Sequence, residues 1–255
     1  MAARRIRVIN LPTSLGARTR VSSPVGSGAM CNANTDSTTT DAADTCCSSN
    51  AQKTNGDRVK THWLDGPDLL DQPLPDDLQS ALGRLFGRDS VETLAEWARE
   101  IRQRTGGGSI DVDQLCHTDD ETAHWGDVDG ERFHFQCFYD AVILAALEDR
   151  AVDIHTVSPR GAVVEARAVG SEKLSVTPET AVFSLGIASD AHKQSSGDPT
   201  LQDNYATVCP YVKAFPDRDA YKAWADEVPA ATVATPLAGA TAFARALTDE
   251  RTRDQ

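Results

Sequence analysis

The sequence predicts an α+β fold, with a mixed or antiparallel sheet core flanked by helices, preceded by a small helical unit and a disordered tail. Three observations carry this. Residues 1–62 are rich in Ser, Thr, Asn, Asp and Gly and show no apolar periodicity, as expected of a segment too polar to bury a core. Residues 74–104 carry two apolar stripes at helical spacing. Beyond Gly106-Gly107-Gly108, short alternating runs cluster in the middle and longer apolar runs flank them.

The elements follow in order. Leu78, Leu82, Leu85 and Phe86 form one helical stripe; Val91, Leu94, Trp97, Ala98 and Ile101 form the next, with Asp89 or Ser90 as its N-cap. The three glycines end this unit as a flexible joint, dividing the chain into a tail (1–62), a small helical domain (63–105) and a larger domain (106–250). Strands are expected over 132–136, 162–169, 174–176, 181–187, 205–215 and 231–234. Helices are expected over 137–147, 217–227 and 236–247, the last with Thr235 as N-cap and Pro236 at the first helical position. Residues 189–203 are polar and punctuated by Gly and Pro, and read as a loop. No internal repeat is visible.

Composition narrows the function classes. A chain of 255 residues is long enough to bury a sizeable core. Its 25 basic and 38 acidic residues give a net charge of −13, which disfavours nucleic acid and anionic membranes as partners. The acids are mostly Asp and lysines are few, a balance that resembles proteins of salt-loving archaea; an ordinary acidic cytoplasmic protein has the same signature. No apolar stretch approaches the roughly 20 residues that span a bilayer. Met1 to Arg20 are basic but lack the continuous apolar region of a secretion signal, and Met30 is an alternative start. The cysteines (Cys31, Cys46, Cys47, Cys116, Cys137, Cys209) show no disulfide-framework spacing; in a cytoplasmic setting they read as free thiols or metal ligands.

The chemistry concentrates where the 132–136 strand meets the 137–147 helix. Cys137 is expected in the first turn of that helix, where free N–H groups and the macrodipole favour a thiolate. Asp140 lies on the same helix face, one turn from the sulfur. Thiols beside one carboxylate suit a soft metal and a proton transfer. The commoner fate of such a pair is structural, with Cys137 as a small core residue and Asp140 as a first-turn acid. On the residues alone both readings stand.

The run from Phe135 to Arg150 resembles the nucleophile helix of the organomercurial (alkylmercury) lyases, in which an aromatic strand end leads into Cys-x-x-Asp. Thr207-Val208-Cys209-Pro210-Tyr211-Val212-Lys213-Ala214-Phe215 is similar to the strand bearing that family's second essential cysteine. The Asp217-to-Trp224 segment matches its acidic, Trp-containing helix, and the agreement in order and spacing runs over about 131–247. The resemblance implies an enzyme that cleaves carbon–mercury bonds, with Cys137 and Cys209 as mercury ligands and Asp140 shuttling the proton. It implies no organic cofactor, with Hg(II) as bound product beside Asp140 and the two cysteines. Its implied partners are organomercurials and small thiols, with a mercuric reductase as acceptor of Hg(II). Relatives carry a small winged-helix-like N-terminal domain, which here is reduced to about two helices. Where several relatives have a third, structural cysteine, this chain has Ser158.

Other motifs are weaker. Phe135, Phe138, Tyr139, Tyr211 and Phe215 are candidates to line an apolar pocket, with plain core packing as the alternative. Cys46-Cys47 either collects mercury in the tail or is incidental. Cys116-His117 with His124 reads as half a zinc site without a fourth ligand, so a solvated loop is the expectation. Two competing functions remain. A thiol store for Hg(II) or another soft metal would not need Asp140. A metal-responsive DNA-binding regulator would need a basic face that residues 74–104 lack.

Overall fold

The computed structural model describes residues 62–104, 110–191 and 201–249. The expected tail with its Cys46-Cys47 pair and alternative start, the three-glycine joint and residues 192–200 of the expected loop lie outside them. The described residues belong to one compact unit. Two sheets and flanking helices make up this α+β structure. Among the described residues, no helix is long and apolar enough to cross a membrane.

The chain opens with strand β1 (His62–Trp63) and helices α1 (Asp76–Phe86) and α2 (Leu94–Arg104). Every residue of the α1 stripe is buried, and the helix stops at Gly87, whose φ of 66° is the left-handed conformation that glycine adopts without cost. The second helix starts later than its stripe: Thr93 Oγ1, rather than Asp89 or Ser90, accepts the Glu96 N–H at 3.2 Å. Buried Glu100 ties the pair together, meeting Arg88 and Arg104 at 2.6 Å each.

Next come β2 (His117–Thr118), β3 (Trp125–Val128), β4 (Glu131–Phe135), α3 (Tyr139–Glu148), β5 (Ala151–Val157), β6 (Val163–Val169) and β7 (Lys173–Thr177). The strands form an antiparallel six-stranded sheet in the order β2-β4-β3-β5-β6-β7. Strands β3 and β5 were not among the expected elements. The β3–β4 turn is Asp129-Gly130, both at positive φ (53° and 86°), which is the backbone that tight hairpins demand. Strand β5 alternates cleanly in burial, with Val152, Ile154 and Thr156 inward. Helix α3 approaches the sheet closely at Gly126: a Cβ there would lie 2.9 Å from Val152 and 3.2 Å from Ala141. Ser158 turns the β5–β6 hairpin, its Oγ accepting the Ala162 N–H at 3.0 Å.

The last section holds β8 (Val182–Ala188), α4 (Leu201–Thr207), β9 (Ala214–Phe215), α5 (Arg218–Ala225), β10 (Ala230–Pro236) and α6 (Ala240–Thr248). Its sheet runs β1-β10-β8-β9, with β1 parallel to β10 and the other pairs antiparallel. Two expectations fail here. The strand expected over 205–215 is instead the end of α4, a 3₁₀ turn at Cys209–Tyr211 and the short β9. Pro210 has no N–H for a ladder and sits in the first turn of that 3₁₀ segment. The helix expected from Pro236 begins at Ala240, because Thr235 and Pro236 are still paired with Phe183 and Val182 on β8. By contrast, Asp217 caps α5 by accepting the Ala220 N–H at 2.8 Å.

Candidate active site

Three separate elements bring the reactive groups together. The polypeptide leaves β4 at Phe135 and bends through Gln136 and Cys137 into α3, whose N-cap is Phe138. Cys137 therefore stands just before the helix rather than in its first turn. Its carbonyl accepts the Asp140 N–H at 3.3 Å, which fixes the sulfur and the carboxyl on one turn. Its Sγ donates to the Val212 carbonyl at 3.9 Å. Cys209 arrives on the 3₁₀ turn that follows α4, held there by Pro210 and by Val212 N–H donation to its carbonyl at 3.3 Å.

Cys137, Asp140 and Cys209 line one cavity. Its remaining walls are almost wholly hydrocarbon: Trp97 and Ile101 from α2, Ile110 and Leu115 from the following segment, Ile143 from α3, Leu185 from β8, and Phe243 and Leu247 from α6. Of the aromatic residues expected around a pocket, only Tyr139 lines it; its hydroxyl donates to the Ala240 carbonyl at 2.6 Å. Phe135, Phe138 and Phe215 are core, the last packed on Trp224 with ring centroids 5.1 Å apart. Tyr211 packs at the edge of the cluster that Phe215 and Trp224 form with Tyr221. No local pattern marked Trp97 or Phe243 as walls, because their meeting at 5.8 Å joins helices far apart in sequence.

The electrostatics follow from this dryness. Asp140 is 6% exposed, and burial pushes its carboxyl from 3.8 to about 7, opposed by the Cys116 backbone N–H. Its Oδ2 has no hydrogen-bond partner among the described residues. Both amide atoms of Asn204, a buried residue at the same cavity, are likewise unpartnered there. The Cys209 thiol is pushed well above its ordinary value by its contact with the Cys137 side chain, then by burial and by the neighbouring charges. Cys116 is pushed up to about 12 by burial, Asp140 and Cys137. At neutral pH, Cys209 and Cys116 are thus thiols at rest, with a carboxyl poised to take or give a proton.

Cys116 lies beside this cavity without lining it, and the histidines near it in sequence have partners of their own. His117 Nε2 donates to the Val112 carbonyl at 3.1 Å, and His124 shares a 2.7 Å hydrogen bond with Thr156. Burial holds both rings below the usual imidazole value, His124 at about 4. Among the described residues, no three His, Cys, Asp or Glu side chains are disposed to hold a metal ion together.

The family model described as MerB: Alkylmercury lyase matches residues 117–249. Among solved structures, the chain is similar to one described as the crystal structure of the mercury-bound form of MerB2. The two share 14% identity at a TM-score of 0.39, over 68% of this chain and 91% of that one. No curated protein matches the chain.

Proposed function

Because this chain belongs to the alkylmercury lyase family, whose model spans just over half of it, we propose that it cleaves carbon–mercury bonds by protonolysis, with Cys137 and Cys209 capturing mercury and Asp140 carrying the proton. One observation supports this assignment of roles above the rest. Two adjacent thiols and a buried carboxyl with an unpartnered oxygen share a cavity whose other walls are mostly hydrocarbon.

The steps balance without redox chemistry. An organomercurial R–Hg–X enters with R against the apolar wall. The Cys137 sulfur displaces X, its proton leaving with X as HX. Mercury is soft and a coordinating thiol is deprotonated outright, so binding itself overcomes the resting preference for thiols. Cys209 then adds, passing its proton to Asp140. The second sulfur pushes electron density onto the carbon, and Asp140 delivers the proton there. R–H departs, Hg(II) remains between the two sulfurs, and Asp140 returns to its starting state. A carboxyl held near neutrality suits both halves of this transfer.

The test is direct. The protein is incubated with methylmercury or phenylmercury and excess small thiol, and methane or benzene is measured. Hydrocarbon release stoichiometric with bound Hg(II) is expected. Tight mercury binding with no hydrocarbon would instead establish a thiol store.

A further inference from the structure

In that scheme Asp140 carries the proton and two thiols hold mercury; Asn204 borders the same cavity and has no part in it. It lies in α4 (Leu201–Thr207), and its carbonyl accepts the Val208 N–H at 2.8 Å, in the turn that leads to Cys209. The side chain is only 6% exposed, yet neither Oδ1 nor Nδ2 has a hydrogen-bond partner among the described residues. Trp97, which α2 contributes to the same walls, has a buried Nε1 that is unpartnered as well. Buried amide and indole groups are nearly always partnered, since an unmet donor or acceptor forfeits its bond to water. A purely hydrocarbon group filling this space would leave the Asn204 amide unmet, whereas a hydroxyl accepts from its Nδ2 and donates to its Oδ1. Charge excludes a carboxylate: among the described residues no lysine, arginine or histidine lines the cavity, and Asp140 does.

Building on the lyase reading, we propose that Asn204 is a specificity residue, selecting short organomercurials whose organic group ends in a neutral hydroxyl. The length follows from the space. Benzene occupies engineered cavities of roughly 150 Å³, so a cavity of about 80 Å³ takes about three heavy atoms, as in a 2-hydroxyethyl group. A group of that size on mercury at the two sulfurs spans the cavity, and its far end meets the remaining walls, Asn204 among them. The hydroxyl is unchanged by the reaction: the Asp140 proton goes to the mercury-bearing carbon, the carbon–mercury bond breaks, and ethanol leaves while Hg(II) stays on the sulfurs. A site built to hydrogen-bond a hydroxyl discriminates steeply against the analogue that lacks it, because its buried polar groups are then left unpaired.

The test compares 2-hydroxyethylmercury with propylmercury, which match in size, on wild type, Asn204→Leu and Asn204→Ala. For each pair kcat/KM is measured with excess small thiol, counting ethanol and propane as products and ethylene from elimination separately. Equilibrium binding of both mercurials, in competition with small thiol, is measured on the same proteins. Wild type is expected to bind the hydroxyl compound about tenfold or more tightly than the propyl one, and the hydroxyethyl-to-propyl ratio of kcat/KM should fall about tenfold or more in both variants. Equal binding of the two compounds by wild type overturns the proposal, even if neither variant folds. An unchanged ratio in a folded variant also overturns it. If wild type releases neither ethanol nor propane, the lyase reading fails and binding alone decides: a hydroxyl preference that disappears in the variants upholds the role of Asn204, and one that persists in them overturns it.

Discussion

The Asp140 N–H donates to the Cys137 carbonyl at 3.3 Å, so the Cys137 thiol and the Asp140 carboxyl share one turn of the chain. That coupling makes Asp140 the cleanest position for separating capture from cleavage. Asp140→Asn keeps size and position but cannot carry a proton. Single-turnover hydrocarbon release should fall by roughly 10²–10⁴-fold, the usual cost of losing a general acid or base, while one Hg(II) per chain still binds. Cleavage at the wild-type rate would remove Asp140 from the mechanism.

Cys137→Ser and Cys209→Ser should each abolish hydrocarbon release and leave circular dichroism and melting behaviour close to wild type, since serine fills nearly the same space. Either variant retaining substantial release would show that one sulfur suffices. Cys46→Ser combined with Cys47→Ser should leave turnover of thiol-bound substrate unchanged.

Stability should carry the imprint of the buried carboxyl. Folding raises Asp140 from 3.8 to about 7, so the folded state prefers the protonated form. Its contribution is fully present below about pH 4 and is lost as pH rises through about 7. Denaturant titrations from pH 4 to 8 should show wild type losing stability relative to Asp140→Asn, by on the order of a few kcal/mol. A difference that is flat across this range would mean that the carboxyl ionises as freely folded as unfolded.

The cavity measures about 80 Å³. Benzene occupies engineered cavities of roughly 150 Å³, so methyl or ethyl groups fit as the walls stand and a phenyl ring requires them to yield. Methylmercury should therefore turn over faster than phenylmercury, and Ile101→Ala should raise the phenyl-to-methyl ratio of kcat/KM. An unchanged ratio would place the organic group elsewhere.

The net charge of −13 makes salt a further variable. If the acidic surface is an adaptation to concentrated salt, Tm should climb from low to molar KCl as the Debye length shrinks to roughly 3 Å. A flat or falling Tm would remove the halophilic reading and leave the chemistry untouched.

What was legible from sequence followed the range of the forces involved. The junction of β4 with α3 was readable because alternation gives way to an unbroken apolar run within a dozen residues, although Cys137 stands one step outside the helix. The apolar, β-branched neighbours of Cys209 favour a strand, and the missing N–H of Pro210 is the local signal against one. Strand β3 was missed although Asp129-Gly130 marks its turn. Nothing local could announce the cavity, since Trp97, Leu185 and Phe243 meet only through tertiary packing. Cys116 was legible as a thiol but not as a neighbour of Cys137, because the β2–β4 register decides that.

The cavity walls have a consequence for how this chain diverges. Cys137, Asp140 and Cys209 all lie within the family-matched segment 117–249, whereas Trp97, Ile101, Ile110 and Leu115 precede it. Part of the cavity wall thus lies upstream of the stretch that carries the two thiols and the carboxyl, while Ile143, Leu185 and Phe243 lie within it. Drift in the earlier stretch can reshape that part of the wall without touching Cys137, Asp140 or Cys209. Exchanging residues 94–115 between relatives is therefore a route to new substrate preference with the chemistry held constant.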